Sequence, residues 1–232
     1  MKAVILAAGM GSRLARPHPK PLTPLVTGQT IMAQQVSNLV RYLRLADIYV
    51  VVGYKKELIM EDFPDLTYVY NSDYDTTNTS KSLLRGLSRF DSDDVVWLNG
   101  DVVFDHQVLS RVLECGHSAM AVVRGAVSDE EIKYRVGSEG WIVEISKTVR
   151  AAEGEAVGIN KVAGGDLARL RQHLERCADG DYFEKAIETG IDDGLHFYPV
   201  DTSGLLATEV DFAEDLERAN KGLAGREATR KR

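Results

Sequence analysis

Residues 3–24 read AVILAAGMGSRLARPHPKPLTP and contain the most informative pattern in the chain. The run Ala3–Leu6 is short, apolar and β-prone, which predicts a buried strand. Small residues follow at positions 7–12, and their backbone N–H groups can approach a ligand and cradle phosphate oxygens. Arg13 and Lys20 add two positive charges beside this loop. A ligand with a polyphosphate chain is therefore expected at the end of the strand.

Two familiar phosphate-binding loops do not account for this pattern. A dinucleotide-binding fingerprint has a third small residue and opens a continuous helix, whereas Leu14 stands at the third position and prolines follow at 17, 19, 21 and 24. A P-loop requires Gly-Lys-Ser/Thr, which residues 3–24 lack. An ordinary glycine-rich turn in an α/β domain is the remaining structural alternative.

The composition is typical of a globular protein. The chain has 232 residues, of which 44% are hydrophobic and 27% are charged, and no apolar run approaches the roughly 18 residues that span a bilayer. Cys115 and Cys177 suggest no disulfide framework, so a reducing, cytoplasmic location is expected. The net charge of −7, without a basic stripe, argues against nucleic acid as a partner.

Strands and helices alternate along the first half of the chain. Helices are expected at 30–45, 57–62 and 79–89, and strands at 47–53, 66–70 and 95–98. Nearly continuous apolar strands separated by helices predict an α/β fold, with a mostly parallel, twisted sheet covered by helices on both faces. Ligands bind such sheets at the carboxyl ends of the strands. Gly9, Gly11, Asn71 and Asp101 are therefore expected on one rim.

Asp101 is the second anchor of the predicted site. The apolar strand at 95–98 runs into Asn99-Gly100-Asp101, which places a carboxylate at the tip of the strand. A carboxylate there is a suitable ligand for Mg²⁺, which prefers oxygen donors and phosphate. The alternative is a turn aspartate after glycine with no ligand.

A third anchor lies near residue 210. Glu209 and Asp211 are two positions apart on an expected strand, so both point to the same face and could share a cation with Asp101. Glu214 and Asp215 are expected in the first turn of the following helix, where negative charge complements the helix dipole.

These motifs carry a family resemblance. The string LAAGxGxRLxxxxPKPL, Gly100-Asp101 and the ending EVDxxEDL resemble nucleotidyltransferases with the sugar-nucleotide pyrophosphorylase fold, which is Rossmann-like and GT-A-like. Residues 1 to about 222 are most similar to the cytidylyltransferases that activate phosphocholine, inositol phosphate or related phosphonates. The closer features are Val51–Lys55, Asn78–Leu83, Lys133, Ile145–Lys147 and Gly154–Gly158.

The resemblance implies roles for individual residues. Nucleotide-binding positions would be Leu6, Ala7, Ala8, Gly9, Gly11, Ser12, Arg13, Lys20, Asn78 and Ser82, with the backbone at 6–9 and Ser82 on the pyrimidine. Catalytic positions would be Arg13, Lys20, Asp101 and Asp211, and the Mg²⁺ ligands Asp101, Glu209 and Asp211. Family members often have an aromatic residue two positions before Ser82, where this chain has Ser80.

The acceptor is expected to bind to the middle of the chain. A single nucleotidyltransferase domain is expected over 1–222, in which 121–199 cover the open side of the cleft, with a flexible basic tail at 223–232. Acceptor-binding positions would be Lys133 and Lys147 for the phosphoryl group, with Glu155 and Tyr182 for the rest of the molecule. A stretch of acidic and aromatic residues at 179–184 could bind a cationic head group, or it could merely begin a helix.

The sequence thus predicts a Mg²⁺-dependent transfer from CTP to a small phosphorylated or phosphonate acceptor, with release of pyrophosphate. One alternative is a sugar-1-phosphate nucleotidylyltransferase that uses UTP or GTP. Another is a non-catalytic nucleotide-sensing domain. Formation of a homodimer stays open.

Overall fold

The computed structural model describes residues 1–11, 17–125, 127 and 130–230, the last four of these by their backbone alone. The strands are β1 (Lys2–Ala7), β2 (Ile48–Val52), β3 (Thr67–Tyr70), β4 (Val95–Asn99), β5 (Val102–Phe104), β6 (Ala119–Arg124), β7 (Lys133–Val136), β8 (Ile142–Ser146), β9 (Gly154–Val162), β10 (Tyr198–Asp201) and β11 (Ala207–Glu209). The helices are α1 (Ile31–Leu39), α2 (Lys56–Asp62), α3 (Thr79–Leu87), α4 (His106–Glu114), α5 (Gly164–Arg176), α6 (Phe183–Asp192) and α7 (Ala213–Arg230).

The main sheet has the strand order β10-β6-β9-β4-β1-β2-β3. β1 pairs in parallel with β2 and β4, β2 with β3, and β6 with β10. β9 runs antiparallel between β4 and β6, and the β7–β8 hairpin joins β9 through β7. β11 pairs antiparallel with β5 in a separate small sheet. The predicted mostly parallel sheet is confirmed, and the carboxyl ends of β1 and β4 lie beside the first half of β9.

Apolar side chains bury both faces of this sheet, because alternate residues of a strand point to opposite sides. On one face Val4 and Trp97 pack with Leu83 of α3 and Leu170 of α5. The opposite face carries a second cluster, in which the strands pack against α1, α2 and α4; its members include Ile5, Leu98, Met32, Ile59 and Val108. Segment 121–199 belongs to the same sheet, since it supplies the central strand β9 as well as the β7–β8 hairpin.

The first helix is shorter than the sequence pattern predicts. It begins after Thr30, whose side chain accepts a hydrogen bond from the Ala33 N–H, and it ends at Leu39 rather than near residue 45. The apolar spacing continues past this end because Leu43, in the turn that follows, still packs against the core.

The carboxyl-terminal boundary also differs. Helix α7 continues through Arg230, so residues 223–230, for which the sequence predicts a flexible basic tail, are helical in the structure. Leu223 packs beside the small cluster formed by Leu25, Val103 and Val210, which extends the helix past the predicted end of the domain. Within the described ranges, no helix is both long and apolar enough to cross a membrane.

Candidate active site

A cleft of about 880 Å³ opens at the carboxyl ends of β1 and β4. It collects most of the residues that the sequence singles out, although these come from widely separated parts of the chain. Those that line it are Leu6, Ala7, Gly9, Gly11, Lys20, Asn78, Asp101, Lys147, Glu155, Tyr182, Glu209 and Asp211. Of the four residues expected on one rim, Gly9, Gly11 and Asp101 line this cleft, whereas Asn71 is buried and hydrogen-bonded to Ser82.

Two glycines shape the cleft beside β1. Gly11 has φ +59°, a left-handed conformation, and a Cβ there would lie 3.0 Å from Cβ of Lys20. At Gly100 a Cβ would lie 2.6 Å from the Leu6 carbonyl oxygen, to which the Gly100 N–H donates a hydrogen bond. These close approaches bring the loop after β1, the Lys20 stem and the tip of β4 together.

Lys20 forms ion pairs with both Asp101 and Asp211. Its Nζ lies 2.6 Å from Asp101 Oδ2 and 2.6 Å from Asp211 Oδ1. Burial alone would lower the pKa of Lys20, but the two carboxylates outweigh that effect and hold the pKa above its usual value. Lys20 is therefore an ammonium held by two carboxylates at the mouth of the glycine loop.

Glu209 occupies the inner side of the same site. Its Oε1 accepts a hydrogen bond of 3.1 Å from Asn99 Nδ2. Gly158, with φ +65°, leaves space for this side chain, because a Cβ there would lie 2.4 Å from Glu209 Oε1. Burial, and then the nearby charge of Asp101, raise the pKa of Glu209 well above its usual value.

The position of Asp211 is fixed by the start of α7. Asp215 Oδ2 accepts hydrogen bonds from the N–H groups of Asp211 (3.0 Å) and Phe212 (2.8 Å). The predicted structural role of Asp215 in the first helical turn agrees with this geometry. β11 ends at Glu209, so Asp211 lies beyond the strand on which it was expected.

The oxygen donors of this site suit a hard divalent cation. Asp101 Oδ1 is buried and has no hydrogen-bond partner, while its second oxygen contacts Lys20. Asp101, Glu209 and Asp211 all line the cleft, and carboxylate oxygens are ligands that Mg²⁺ prefers. Among the described residues, however, no three side chains of Asp, Glu, His or Cys are already gathered as a metal cluster.

A smaller cavity of about 60 Å³ adjoins the cleft beneath α3. Polar groups and small residues line it: Leu6, Ala8, Gly9, Tyr74, Thr77, Asn78, Thr79 and Ser82. Asn71 Nδ2 donates hydrogen bonds to Thr77 Oγ1 (3.2 Å) and Ser82 Oγ (3.1 Å). Of the residues expected to contact a base, Leu6, Ala8, Gly9 and Ser82 line this cavity, whereas Ala7 lines the larger cleft.

The opposite part of the cleft is rich in carboxylates. Glu130, Glu131, Glu155 and Glu184 line it, together with the ring of Tyr182. Lys147 Nζ lies 3.5 Å from Glu130 Oε2 and 5.8 Å from the centre of the Tyr182 ring. An ammonium group thus lies among carboxylates and an aromatic face in this part of the protein.

Three of these carboxyl groups have raised pKa values. For Glu131 the cause is burial, followed by the charges of Asp211 and Asp215. For Glu155 it is burial, followed by the charge of Glu131. Burial raises the pKa of Glu184 to about 7. A bound cation would relieve both the loss of hydration and the mutual repulsion of these groups.

Glu184 gives a prediction for stability. The Glu184 carboxyl binds its proton more tightly in the folded protein than in the unfolded chain. Below pH ~4.5 the group is protonated in both states and does not change the free energy of unfolding, whereas that free energy falls as the pH rises from about 4.5 to about 7. Glu184→Gln should therefore exceed the wild type by about 1–3 kcal/mol at pH 8, with the difference vanishing near pH 4.5. Urea unfolding of both proteins across this range measures it. In the control Glu188→Gln, which removes a partly exposed carboxylate of α6 that pairs with Lys185, the difference should stay below about 1 kcal/mol. A pH-independent difference for Glu184→Gln would contradict the prediction.

Some predicted positions lie elsewhere. Lys133 pairs with Glu155 across β7 and β9, but of these two only Glu155 is among the residues that line the cleft. Ser12 and Arg13 lie outside the described residues. Their proposed contacts with phosphate stay predictions.

Sequence reasoning missed several residues of the cleft. Tyr74, Asn99, Glu131 and Arg218 line it without belonging to any of the quoted motifs as ligands. Asn99 lies two residues before Asp101, a predicted metal ligand, and this proximity could have indicated that Asn99 belongs to the site. Tyr74 and Arg218 lie in polar segments whose spacing is equally typical of solvated surface.

The fold and the cleft together define a Rossmann-like nucleotidyltransferase. Residues 3–181 match the MobA-like NTP transferase domain, and the chain belongs to that family. The resemblance read from the N-terminal loop, Asp101 and the 209–216 ending is thereby confirmed at the level of the family.

Two curated relatives illustrate the range of this similarity. CMP-5'-(3-aminopropyl)phosphonate synthase of Streptomyces rubellomurinus is 32% identical over 243 aligned residues, which cover 95% of this chain and 38% of that protein. The bifunctional protein GlmU of Francisella philomiragia is 31% identical over 181 residues, covering 75% of this chain and 39% of that protein. The chain spans about two fifths of the length of these relatives.

Solved structures share the fold over almost the whole chain. CTP:phosphocholine cytidylyltransferase from Streptococcus pneumoniae superposes with a TM-score of 0.77 at 19% identity, covering 96% of this chain and 98% of that one. Inositol-1-phosphate CTP transferase from T. maritima gives a TM-score of 0.76 at 18% identity, covering 95% and 96%. At these identities the likeness concerns the fold alone.

Proposed function

We propose that this protein is a Mg²⁺-dependent cytidylyltransferase that transfers CMP from CTP to a small phosphorylated or phosphonate-bearing acceptor and releases pyrophosphate. The observation that carries the proposal is the position of Lys20 beside the Gly9–Gly11 loop, 2.6 Å from each of Asp101 and Asp211. A non-catalytic nucleotide sensor would not need these three charged groups to converge on the phosphate-binding loop.

The reaction needs positioning and charge neutralisation more than proton transfer. An oxygen of the acceptor phosphate or phosphonate attacks the α-phosphorus of CTP, and a new O–P bond forms while the bond to the β-phosphate bridge breaks. Pyrophosphate leaves with that electron pair, and the attacking oxygen is already deprotonated near neutral pH. Lys20, with Arg13, stabilises negative charge on the departing pyrophosphate.

Asp101, Asp211 and Glu209 would hold the cation. Mg²⁺ there would neutralise charge on the acceptor and α-phosphoryl oxygens. The unpartnered Asp101 Oδ1 supports this assignment, because a buried carboxylate oxygen otherwise loses hydration without compensation. Asp215 keeps Asp211 in place because its carboxylate accepts hydrogen bonds from the backbone N–H groups of Asp211 and Phe212.

The base is assigned to the small cavity beneath α3. Ser82 Oγ accepts a hydrogen bond from Asn71, so its own O–H is available to donate to O2 or N3 of cytosine. A polar edge left unpaired in such a site costs a large factor in specificity.

The acceptor is assigned to the carboxylate-rich part of the cleft, and we infer that it carries a cationic amine. Glu131, Glu155, Glu184 and the face of the Tyr182 ring would contact the ammonium of the acceptor. Lys147 and Arg218, which line the same cleft, would contact the phosphoryl group of the acceptor. The Streptomyces relative is named for a phosphonate with an aminopropyl chain, which supports this acceptor class.

Replacing Glu155 tests the acceptor class. We expect Glu155→Gln to raise KM for 3-aminopropylphosphonate about 10-fold, since one charge–charge interaction in a partly buried site is lost, with little change in KM for CTP. The matched control ligand is propylphosphonate, which lacks the amine. Its KM should change by less than about twofold in Glu155→Gln. Equal effects on both phosphonates would overturn the cationic assignment.

A panel of substrates tests the function itself. Pyrophosphate release is followed with CTP, UTP, GTP or ATP and Mg²⁺, against phosphocholine, aminoalkylphosphonates, inositol phosphate and hexose 1-phosphates. We expect turnover with CTP and an amine-bearing acceptor. A sugar-1-phosphate nucleotidylyltransferase is the second candidate, because the fold is shared with a structure provisionally named a glucose-1-phosphate thymidylyltransferase from Bacillus anthracis. Turnover of UTP or GTP with a hexose 1-phosphate alone would establish it instead.

A further inference from the structure

Lys20 connects three distant parts of the chain through two ion pairs. Its partners Asp101 and Asp211 are 81 and 191 residues away, and the Lys20 side chain is only 10% exposed. The ammonium thus contacts two of the carboxylates, Asp101 and Asp211, that the proposed function assigns to a divalent cation.

We propose that Lys20 is an internal counter-ion, which a divalent cation must displace in order to bind between Asp101 and Asp211. The inference rests on the proposed function only for the identity of the cation's site. Displacement turns the lysine away from the carboxylates and towards the phosphates of the nucleotide, so that entry of the cation also positions a phosphate-binding charge.

Electrostatics requires the exchange. An ammonium at 2.6 Å from one oxygen of each carboxylate occupies the space between them. A divalent ion coordinated by the same two oxygens would lie within a few ångströms of that ammonium and repel it strongly. The cation brings two positive charges to two carboxylates where Lys20 brings one, and Asp101 Oδ1 remains buried without a partner as a further donor.

The geometry allows the lysine to move without refolding. Its backbone is held in a short turn, with the Thr23 N–H donating to the Lys20 carbonyl and prolines at 19 and 21. The side-chain stem runs beside Gly11, where a Cβ would lie 3.0 Å from Lys20 Cβ. Because the stem lies beside the glycine loop, we expect rotation about side-chain bonds to be sufficient to move Nζ from the carboxylates towards that loop.

The exchange predicts opposite effects on two ligands. Removing the ammonium removes a competitor of the cation, so Lys20→Met should bind the cation alone more tightly than the wild type does. The same variant should bind the nucleotide more weakly, because the charge that meets the phosphates is gone. A lysine that only stabilised the fold would change neither affinity in this way.

The decisive measurement is binding of Mn²⁺, without nucleotide or acceptor, followed by its electron paramagnetic resonance signal. We expect Lys20→Met to bind Mn²⁺ at least about 10-fold more tightly than the wild type. Lys20→Arg, which keeps the positive charge, should stay within about threefold of the wild type. Lys56→Met removes the same charge from a half-buried ammonium that pairs with the exposed Glu57 and does not line the cleft, so it should not change the affinity. Equal or weaker binding by Lys20→Met overturns the proposal.

A second measurement uses the wild type and so does not depend on the variant's folding. Lys20 should react slowly with an amine-specific ester, because both carboxylates hold its ammonium, and Mg²⁺ should increase its labelling at least about threefold as read by peptide mass spectrometry. Lys56 supplies the internal reference. Labelling of Lys20 that does not respond to Mg²⁺ contradicts the exchange.

These tests separate the exchange from the enzymatic proposal. Neither contains nucleotide or acceptor, so a wrong base or acceptor would leave the expected Mn²⁺ result intact. Absence of Mn²⁺ binding in both the wild type and Lys20→Met would overturn the exchange and the cation site together. Tight binding by the variant with no turnover in the substrate panel would support the exchange and reject the proposed reaction.

Discussion

Asp101→Asn and Asp211→Asn should each lower kcat/KM by about 100-fold or more while the protein stays folded. Asparagine keeps the shape of the side chain but removes the charge that holds both Lys20 and the proposed cation. Asp101 follows a glycine whose N–H is hydrogen-bonded to Leu6, and Asp211 is held through its backbone by Asp215. Both side chains lie at the rim of the cleft, so the fold should tolerate the change.

Steady-state turnover with CTP, Mg²⁺ and the best acceptor measures this effect, with circular dichroism to confirm folding. Asp75→Asn is the matched control, because Asp75 is an exposed carboxylate on the wall of the same cleft. We expect its turnover to stay within about threefold of the wild type. If Asp101→Asn or Asp211→Asn also kept its turnover within about threefold of the wild type, that residue would not be catalytic.

Much of the fold could be predicted because its signals are local. Ala3–Leu6 and Val95–Leu98 are continuous apolar runs, which is the pattern of parallel strands buried on both faces, and each is followed by small residues. The carboxyl ends of neighbouring parallel strands meet at one edge. The sequence alone therefore placed the glycine loop and Asp101 on the same rim.

The contacts within the site depend on information that local patterns do not carry. That Lys20 reaches Asp101 and Asp211 follows from the close approach of Gly11 and Gly100 to their neighbours, which only the folded chain defines. Lys133 was expected in the acceptor site; it pairs with Glu155 across β7 and β9, and of these two residues Glu155 lines the cleft. Registers between distant strands are set by packing and are not visible in either segment alone.

The carboxylates of the acceptor region show the same limit. Glu155 was predicted from a motif, whereas Glu131 lies just before β7 in a polar stretch that reads as exposed loop. Burial and neighbouring charge raise its pKa only once β7, β9 and α7 are assembled. Residues whose chemistry arises from tertiary burial cannot be separated from surface residues of the same type by sequence pattern.

Lys20→Ala should reduce kcat far more than it raises KM for CTP. Negative charge grows on the leaving pyrophosphate as the bond to the α-phosphorus breaks, so an ammonium positioned there stabilises the transition state more than the bound substrate. Loss of such a donor raises the barrier by about 2–4 kcal/mol, which corresponds to a fall in kcat of about 30- to 1,000-fold. The two ion pairs at 2.6 Å place the ammonium between Asp101 and Asp211, and its stem lies beside Gly11 of the loop proposed to bind the phosphates.

Single-turnover kinetics at saturating CTP separate this chemical effect from binding. Lys147→Ala is the matched control, because it removes an ammonium from the acceptor region of the same cleft; it should raise KM for the acceptor and leave the saturated rate within about fivefold of the wild type. Lys20→Arg keeps the charge but changes the reach of the side chain, so an intermediate rate is expected. If Lys20→Ala turned over CTP at the wild-type rate once saturated, Lys20 would contribute uniform binding to nucleotide and transition state, and its role in stabilising the leaving pyrophosphate would be wrong.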